Sequence, residues 1–180
     1  MQHSEPQRAA LLIIDMQVGL FHGPERPWEG QRVLDNINQL IHKARLAGAP
    51  IFAARFFGPP GTPIAQGSPL TQLLPDLAID PARDTIFDKA RPSCFAGTRL
   101  ADQLLEANVN QLVIAGMKTQ YCIDANCRLA RDAGYSAVLV ADAQTCSDTP
   151  ELSARQIVAH HNATLKGAFV KLQNTVEVEF

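Results

Sequence analysis

Ala10-Leu11-Leu12-Ile13-Ile14-Asp15 decides the reading of the fold. Apolar residues in unbroken succession, closed by a carboxylate, fit a strand covered on both faces. A strand with one wet face would alternate apolar with polar. The period then changes over 32–47. Val33, Leu34, Ile37, Leu40, Ile41 and Ala44 share one face of a helix, and Gly48 stands where a helix ends. Further strands are expected at 50–56, 85–88, 111–115, 136–141 and 168–172, with helices at 97–107 and 121–133. Thr149 and Pro150 read as the N-cap and first-turn proline of a last helix, closed by Gly167. The Gly- and Pro-rich stretch 58–69 reads as a loop, and 70–77 as holding a short helical turn. Strand and helix in alternation predict an α/β, doubly wound, mainly six-stranded parallel sheet with helices on both faces. No repeat, low-complexity tract or linker interrupts it, so residues 1–180 read as a single domain.

Composition narrows the function classes. The chain has 180 residues, 16 Lys+Arg against 18 Asp+Glu and a net charge of −2, so no basic excess is available for a phosphate backbone. Nucleic acid is therefore not an expected partner. No apolar run approaches the ~20 residues that span a bilayer. The polar start, Met1 to Arg8, and the short apolar run behind it do not resemble a secretory signal. A cytoplasmic protein with reduced thiols, no membrane contact and a small-molecule substrate is expected. Cys122 and Cys127 lack the spacing of a zinc ribbon or a redox pair, and no His lies near them.

In an open parallel sheet, ligands bind beyond the carboxyl ends of the strands. Asp15 follows the first strand, Lys89 the third, and Gly116-Met117-Lys118-Thr119-Gln120-Tyr121-Cys122 the fourth. A carboxylate, an amine and a thiol thus converge on one edge. A helix start and a nearby lysine would lower the thiol pKa of Cys122. Asp15 would take the thiol proton and pass it to a leaving amine. Backbone N–H groups between Lys118 and Cys122 would receive an oxyanion. Each residue also has a plainer role: a packed thiol, a turn-capping carboxylate, a solvated lysine. Joint placement at three strand ends favours the chemical one. An Asp-Met-Gln after the first strand, rather than a Gly-rich loop, argues against a nucleotide site.

The chain resembles the isochorismatase-like cysteine hydrolases along almost its whole length. The resemblance rests on Leu11-Leu12-Ile13-Ile14-Asp15-Met16-Gln17 with Phe21, on the segment from Lys89 to Leu100, on Val113 to Ile123, and more weakly on Val140-Ala141-Asp142-Ala143. It implies an Asp–Lys–Cys triad at Asp15, Lys89 and Cys122. It also implies a cis peptide between Met117 and Lys118, which turns the N–H groups of Lys118 and Cys122 toward the substrate oxygen. It implies a homodimer or larger assembly as well.

Departures from the family pattern narrow the expectation. Family members of the nicotinamidase type carry a metal site after the second strand, whereas Ala53 to Gly58 here offers neither His nor carboxylate. No metal and no cofactor are expected. The leading reading is amide-type C–N hydrolysis through a thioester. The alternatives are hydrolysis of an isochorismate-like vinyl ether and a binding module without activity. Phe21, Trp28, Arg55, Phe56 and Met117 are the candidate pocket residues, although Phe21 and Trp28 could equally anchor their loop. The family often has a small residue where Lys118 stands, so its side chain either lines the pocket or points away. His161 is read as packed or locally hydrogen-bonded.

Overall fold

The computed structural model describes residues 8–180. The first strand, β1 (Ala9–Ile14), is buried along its entire length. Its side chains divide between two cores, as the pleat requires. Leu11 and Ile13 meet Val33, Ile37, Leu40 and Ile41 of helix α2 (Gly30–Leu46), which lies across one face of the sheet. Ala10, Leu12 and Ile14 meet the other core, which is covered by α3 (Leu100–Glu106), α4 (Asp124–Asp132) and Leu165 of α5 (Ala154–Leu165). A four-residue helix, α1 (Val18–Phe21), follows β1 directly.

The remaining strands are β2 (Ile51–Phe56), β3 (Thr85–Lys89), β4 (Gln111–Met117), β5 (Ser136–Thr145) and β6 (Lys171–Gln173). All pair in parallel, in the order β3-β2-β1-β4-β5-β6. The chain runs outward from β1 to β3, then returns to the other side of β1 and runs outward again. The order therefore reverses between β1 and β4, and the crevice opens beyond their carboxyl ends. Gly116 makes their close approach possible there. Its φ is +123°, and a Cβ at this position would lie 2.1 Å from the Ile14 carbonyl oxygen.

Several boundaries differ from the sequence reading. β4 and β5 extend to Met117 and Thr145, carrying ordered backbone to the edge where the crevice lies. The fourth helix does not begin at Tyr121. A wider π-helical turn, Thr119–Ile123, precedes it. The last helix is capped by Ser153, four residues beyond the expected Thr149. Ser153 and Gln156 form a reciprocal capping box, whereas Thr149 Oγ1 accepts the Leu152 N–H at 3.0 Å in the preceding turn. Residues 167–169 form a turn rather than strand, because the Gly167 N–H donates to Val170 O at 2.9 Å. The turn expected within 70–77 lies at Pro69–Thr71. Met1 to Gln7, most of the polar start, falls outside the described residues. Among the described residues, no helix is long and apolar enough to cross a membrane.

Candidate active site

The crevice is built from three strand ends. Asp15 leaves β1 in the left-handed region (φ 56°), and its N–H donates to Ala54 O at 3.1 Å. Gln17 fixes the next turn. Its Nε2 donates to Phe56 O and Thr71 O, both at 2.8 Å, and its Oε1 accepts the Phe56 N–H at 2.8 Å. Lys89 closes β3 in register with Phe56 and passes its ring, with Nζ 5.0 Å from the ring centroid.

Lys89 is buried, and all three donors of its ammonium are engaged. They reach Asp15 Oδ2 at 2.9 Å, Arg91 O at 3.2 Å and Cys122 Sγ at 3.2 Å. Asp15, Lys89 and Cys122 therefore meet around one ammonium. The second carboxylate oxygen, Asp15 Oδ1, is buried without a hydrogen-bond partner among the described residues. An unfilled acceptor beside a thiol is a ready proton acceptor.

Burial raises the Asp15 pKa above the usual carboxylate range, opposed by the Lys89 charge and by interaction with the Cys122 thiol. Burial pulls Lys89 down, but the charges of Asp15 and Cys122 outweigh it and leave its pKa raised. The Cys122 thiol is pushed up to about 12 by burial and by the Asp15 charge, against the pull of Lys89. This corrects the expected lowering. Cys122 belongs to the π-helical turn and is only 8% exposed, and desolvation of the thiolate outweighs the cation.

A cavity of about 260 Å³ opens over the sulfur, walled by Asp15, Leu20, Phe56, Pro92, Lys118, Tyr121 and Cys122. Of the five expected pocket residues, Phe56 alone lines it. Phe21 and Met117 turn into the α2-side core. Phe21 misses the cavity because consecutive helical residues point about 100° apart, which leaves the opening to Leu20. Trp28 packs near Cys146, Ala154, Ile157 and Val158. Arg55 is drawn aside by Asp88 at 2.8 Å. Lys118 is among the residues that line the cavity, and its Nζ contacts Glu25 Oε2 at 2.5 Å. The Met117–Lys118 peptide is cis. The Lys118 carbonyl accepts the N–H groups of Tyr121 and Ile123 at 3.1 and 3.3 Å. His161 Nδ1 pairs with Ile157 O at 2.8 Å, away from the site.

Asn126 was not legible in the sequence. Fully buried one turn after Cys122, it accepts the Cys94 N–H at 2.7 Å and donates to Pro92 O at 2.9 Å and Cys122 O at 2.7 Å. It joins the loop after Lys89 to the nucleophile's helix. The only available signal was a polar residue at i+4 from a candidate thiol, on an otherwise apolar face. Behind the same helix, Thr119 Oγ1 pairs with Gln144 Oε1, and Gln144 Nε2 donates to Asn162 Oδ1 at 3.0 Å. Among the described residues, no group of three or more His, Cys, Asp or Glu could hold a metal ion.

An all-parallel six-stranded sheet in this order matches the fold of isochorismatase-family structures. The isochorismatase domain model matches residues 9–174, and the chain belongs to the isochorismatase family. A crystal structure of an isochorismatase from Pseudomonas putida KT2440 superposes with a TM-score of 0.87 at 26% identity, covering 97% of this chain and 94% of that one. An uncharacterized isochorismatase family protein of Bacillus subtilis, YddQ, is 29% identical over 92% of this chain and 96% of its own length. A streptothricin hydrolase of Streptomyces noursei is 34% identical over 78% of this chain. The chain spans about half the length of that relative, 51%.

Proposed function

We propose that this hydrolase is a cysteine amidohydrolase that cleaves a C–N bond of a small molecule through a thioester. One observation carries the reading: Lys89 Nζ bridges Asp15 Oδ2 and Cys122 Sγ at the floor of a cavity, while Asp15 Oδ1 has no hydrogen-bond partner among the described residues. Burial pushes the Cys122 thiol pKa up, so in this reading the proton leaves as the sulfur attacks. Sγ forms the C–S bond, and the proton passes to Asp15. Lys89 offsets charge developing on sulfur. The N–H groups of Lys118 and Cys122 receive the carbonyl oxygen. Asp15 returns the proton to nitrogen as the C–N bond breaks and the amine departs. Water then adds to the thioester, gives a proton to Asp15 and releases the acid, and that proton restores the thiol. The similarity to a streptothricin hydrolase supports a hydrolytic reaction. Ammonia or amine release from a panel of small amides and ureides tests it. Cys122→Ala is expected to lose nearly all release, by at least about a thousandfold, with binding retained.

A second reading, vinyl-ether hydrolysis with Asp15 as the acid, is favoured by the raised Asp15 pKa. It predicts that Cys122→Ala keeps most turnover of isochorismate, so the same variant separates the two.

A further inference from the structure

The cavity over Cys122 carries one cation that the triad does not use. Its walls are mainly apolar, formed by Leu20, Phe56, Pro92 and Tyr121. Asp15 is engaged by Lys89. Lys118 is also in the wall; its side chain is 18% exposed and paired to Glu25, whose side chain is 69% exposed.

The two members of this pair are held very differently. The Lys118 backbone is fixed where β4 ends, its carbonyl taken up by Tyr121 and Ile123. Glu25 sits on the loop between α1 and α2 with most of its carboxylate in water. The carboxylate half of the pair is exposed, so Glu25 can turn to solvent once another anion takes its place on Lys118. Lys118 cannot leave as readily, and alone it would be a partly buried ammonium beside an apolar wall.

The geometry points to Lys118 as the specificity residue for a substrate that carries a carboxylate, or another anionic group, on a compact apolar body. The inference deepens the amidohydrolase reading and rests on it for the identity of the bond cleaved. The incoming anion replaces Glu25 as the partner of Lys118 and leaves the local charge balanced. A cationic substrate is disfavoured by the same geometry. To reach Glu25 it must separate that carboxylate from Lys118 and leave two ammonium groups side by side. The cavity, about 260 Å³, lies below the usual range for drug-sized ligands, so the body must be small.

The test uses monoamides of aliphatic and aromatic dicarboxylic acids, each paired with the amide of the corresponding monocarboxylic acid. The readout is the ratio of kcat/KM, acid-bearing over neutral, by ammonia release. The ratio is expected to exceed ten for at least one pair, and to fall as salt is raised. Lys118→Met is expected to reduce it at least tenfold, mainly through KM, while Lys118→Arg retains it. Glu25→Gln is expected to raise it, because the competing carboxylate is gone. Ratios near one across all pairs, or a ratio unmoved by Lys118→Met, would overturn the inference. Binding of the same pairs to Cys122→Ala, by calorimetry, separates this failure from failure of the amidase reading. Lys118-dependent preference for the acid, with no ammonia from the wild type, keeps the anion site and removes the amidase. Ammonia release with equal ratios does the reverse.

Discussion

At the residue scale, the site is governed by desolvation. A thiol in full contact with water and a largely buried thiol are different reagents. Cys122 belongs to the second kind, with its pKa pushed up to about 12 by burial first and by Asp15 second. It is therefore expected to react slowly with iodoacetamide at neutral pH. The alkylation rate, followed at Cys122 by mass spectrometry, should climb with pH through 8 to 10 without levelling. A plateau below pH 8 would mean that the thiol is already ionised at rest, and the proton transfer to Asp15 would have to be abandoned. The identity of the three residues was legible in the sequence because each ends a strand or follows one closely. The direction of the thiol shift was not, because it depends on how much water the fold removes. No spacing rule reports that quantity.

At the element scale, boundaries are set by local hydrogen bonds. Thr149-Pro150 has the composition of a helix start, yet the capping box at Ser153 and Gln156 places that start four residues later. Both candidates precede an apolar periodic run, so composition alone could not choose. Ser153→Ala is expected to cost about 1 kcal/mol in a urea unfolding titration. Thr149→Ala, which removes only a turn contact, should cost less than half of that. Equal costs would show that the cap at Ser153 is not what begins α5. The extensions of β4 and β5 were hidden for a related reason. Met117 and Ala143 to Thr145 lie at the ends of their strands, where pairing persists only because the neighbouring strand is there to receive it. The register between β4 and β5 slips after Ile114 and resumes with Gly116 opposite Gln144. A slip of that kind is a property of two strands together.

At the scale of the whole molecule, the buried titratable groups act in one direction. Cys122, Cys94 and Cys127 all have thiol pKa values raised by burial, and Lys89 is raised by the charges of Asp15 and Cys122. A group whose pKa is higher folded than unfolded adds stability below its unfolded pKa and loses it as pH climbs through the folded one. For the thiols that loss begins near the unfolded value of 9.0 and continues to about 12 for Cys122. Asp15 has the same sign: its raised pKa makes the ionised carboxylate a cost above the unfolded value of 3.8. Stability is expected to fall steeply on the alkaline side. Each proton that the unfolded chain has lost and the folded chain still holds costs about 1.4 kcal/mol per pH step of one. Urea midpoints between pH 8 and 10.5 measure it. Cys122→Ala should flatten the decline, and an unchanged slope would remove Cys122 from the account.

Reading along the chain was enough to establish the alternation of buried strands and helices, hence the parallel sheet, and the three residues that the strand ends carry to one edge. Both are consequences of periodicity, which short-range physics dictates. Packing in three dimensions was needed to settle that Leu20 rather than Phe21 walls the cavity, that Asn126 ties the lysine loop to the nucleophile's helix, and that Lys118, in the cavity wall, pairs with Glu25. Packing also decides the direction of the Cys122 shift, since burial pushes the thiol pKa up. These depend on which surfaces exclude water and which distant groups meet. Such quantities come into being only when segments separated by tens of residues are packed against one another.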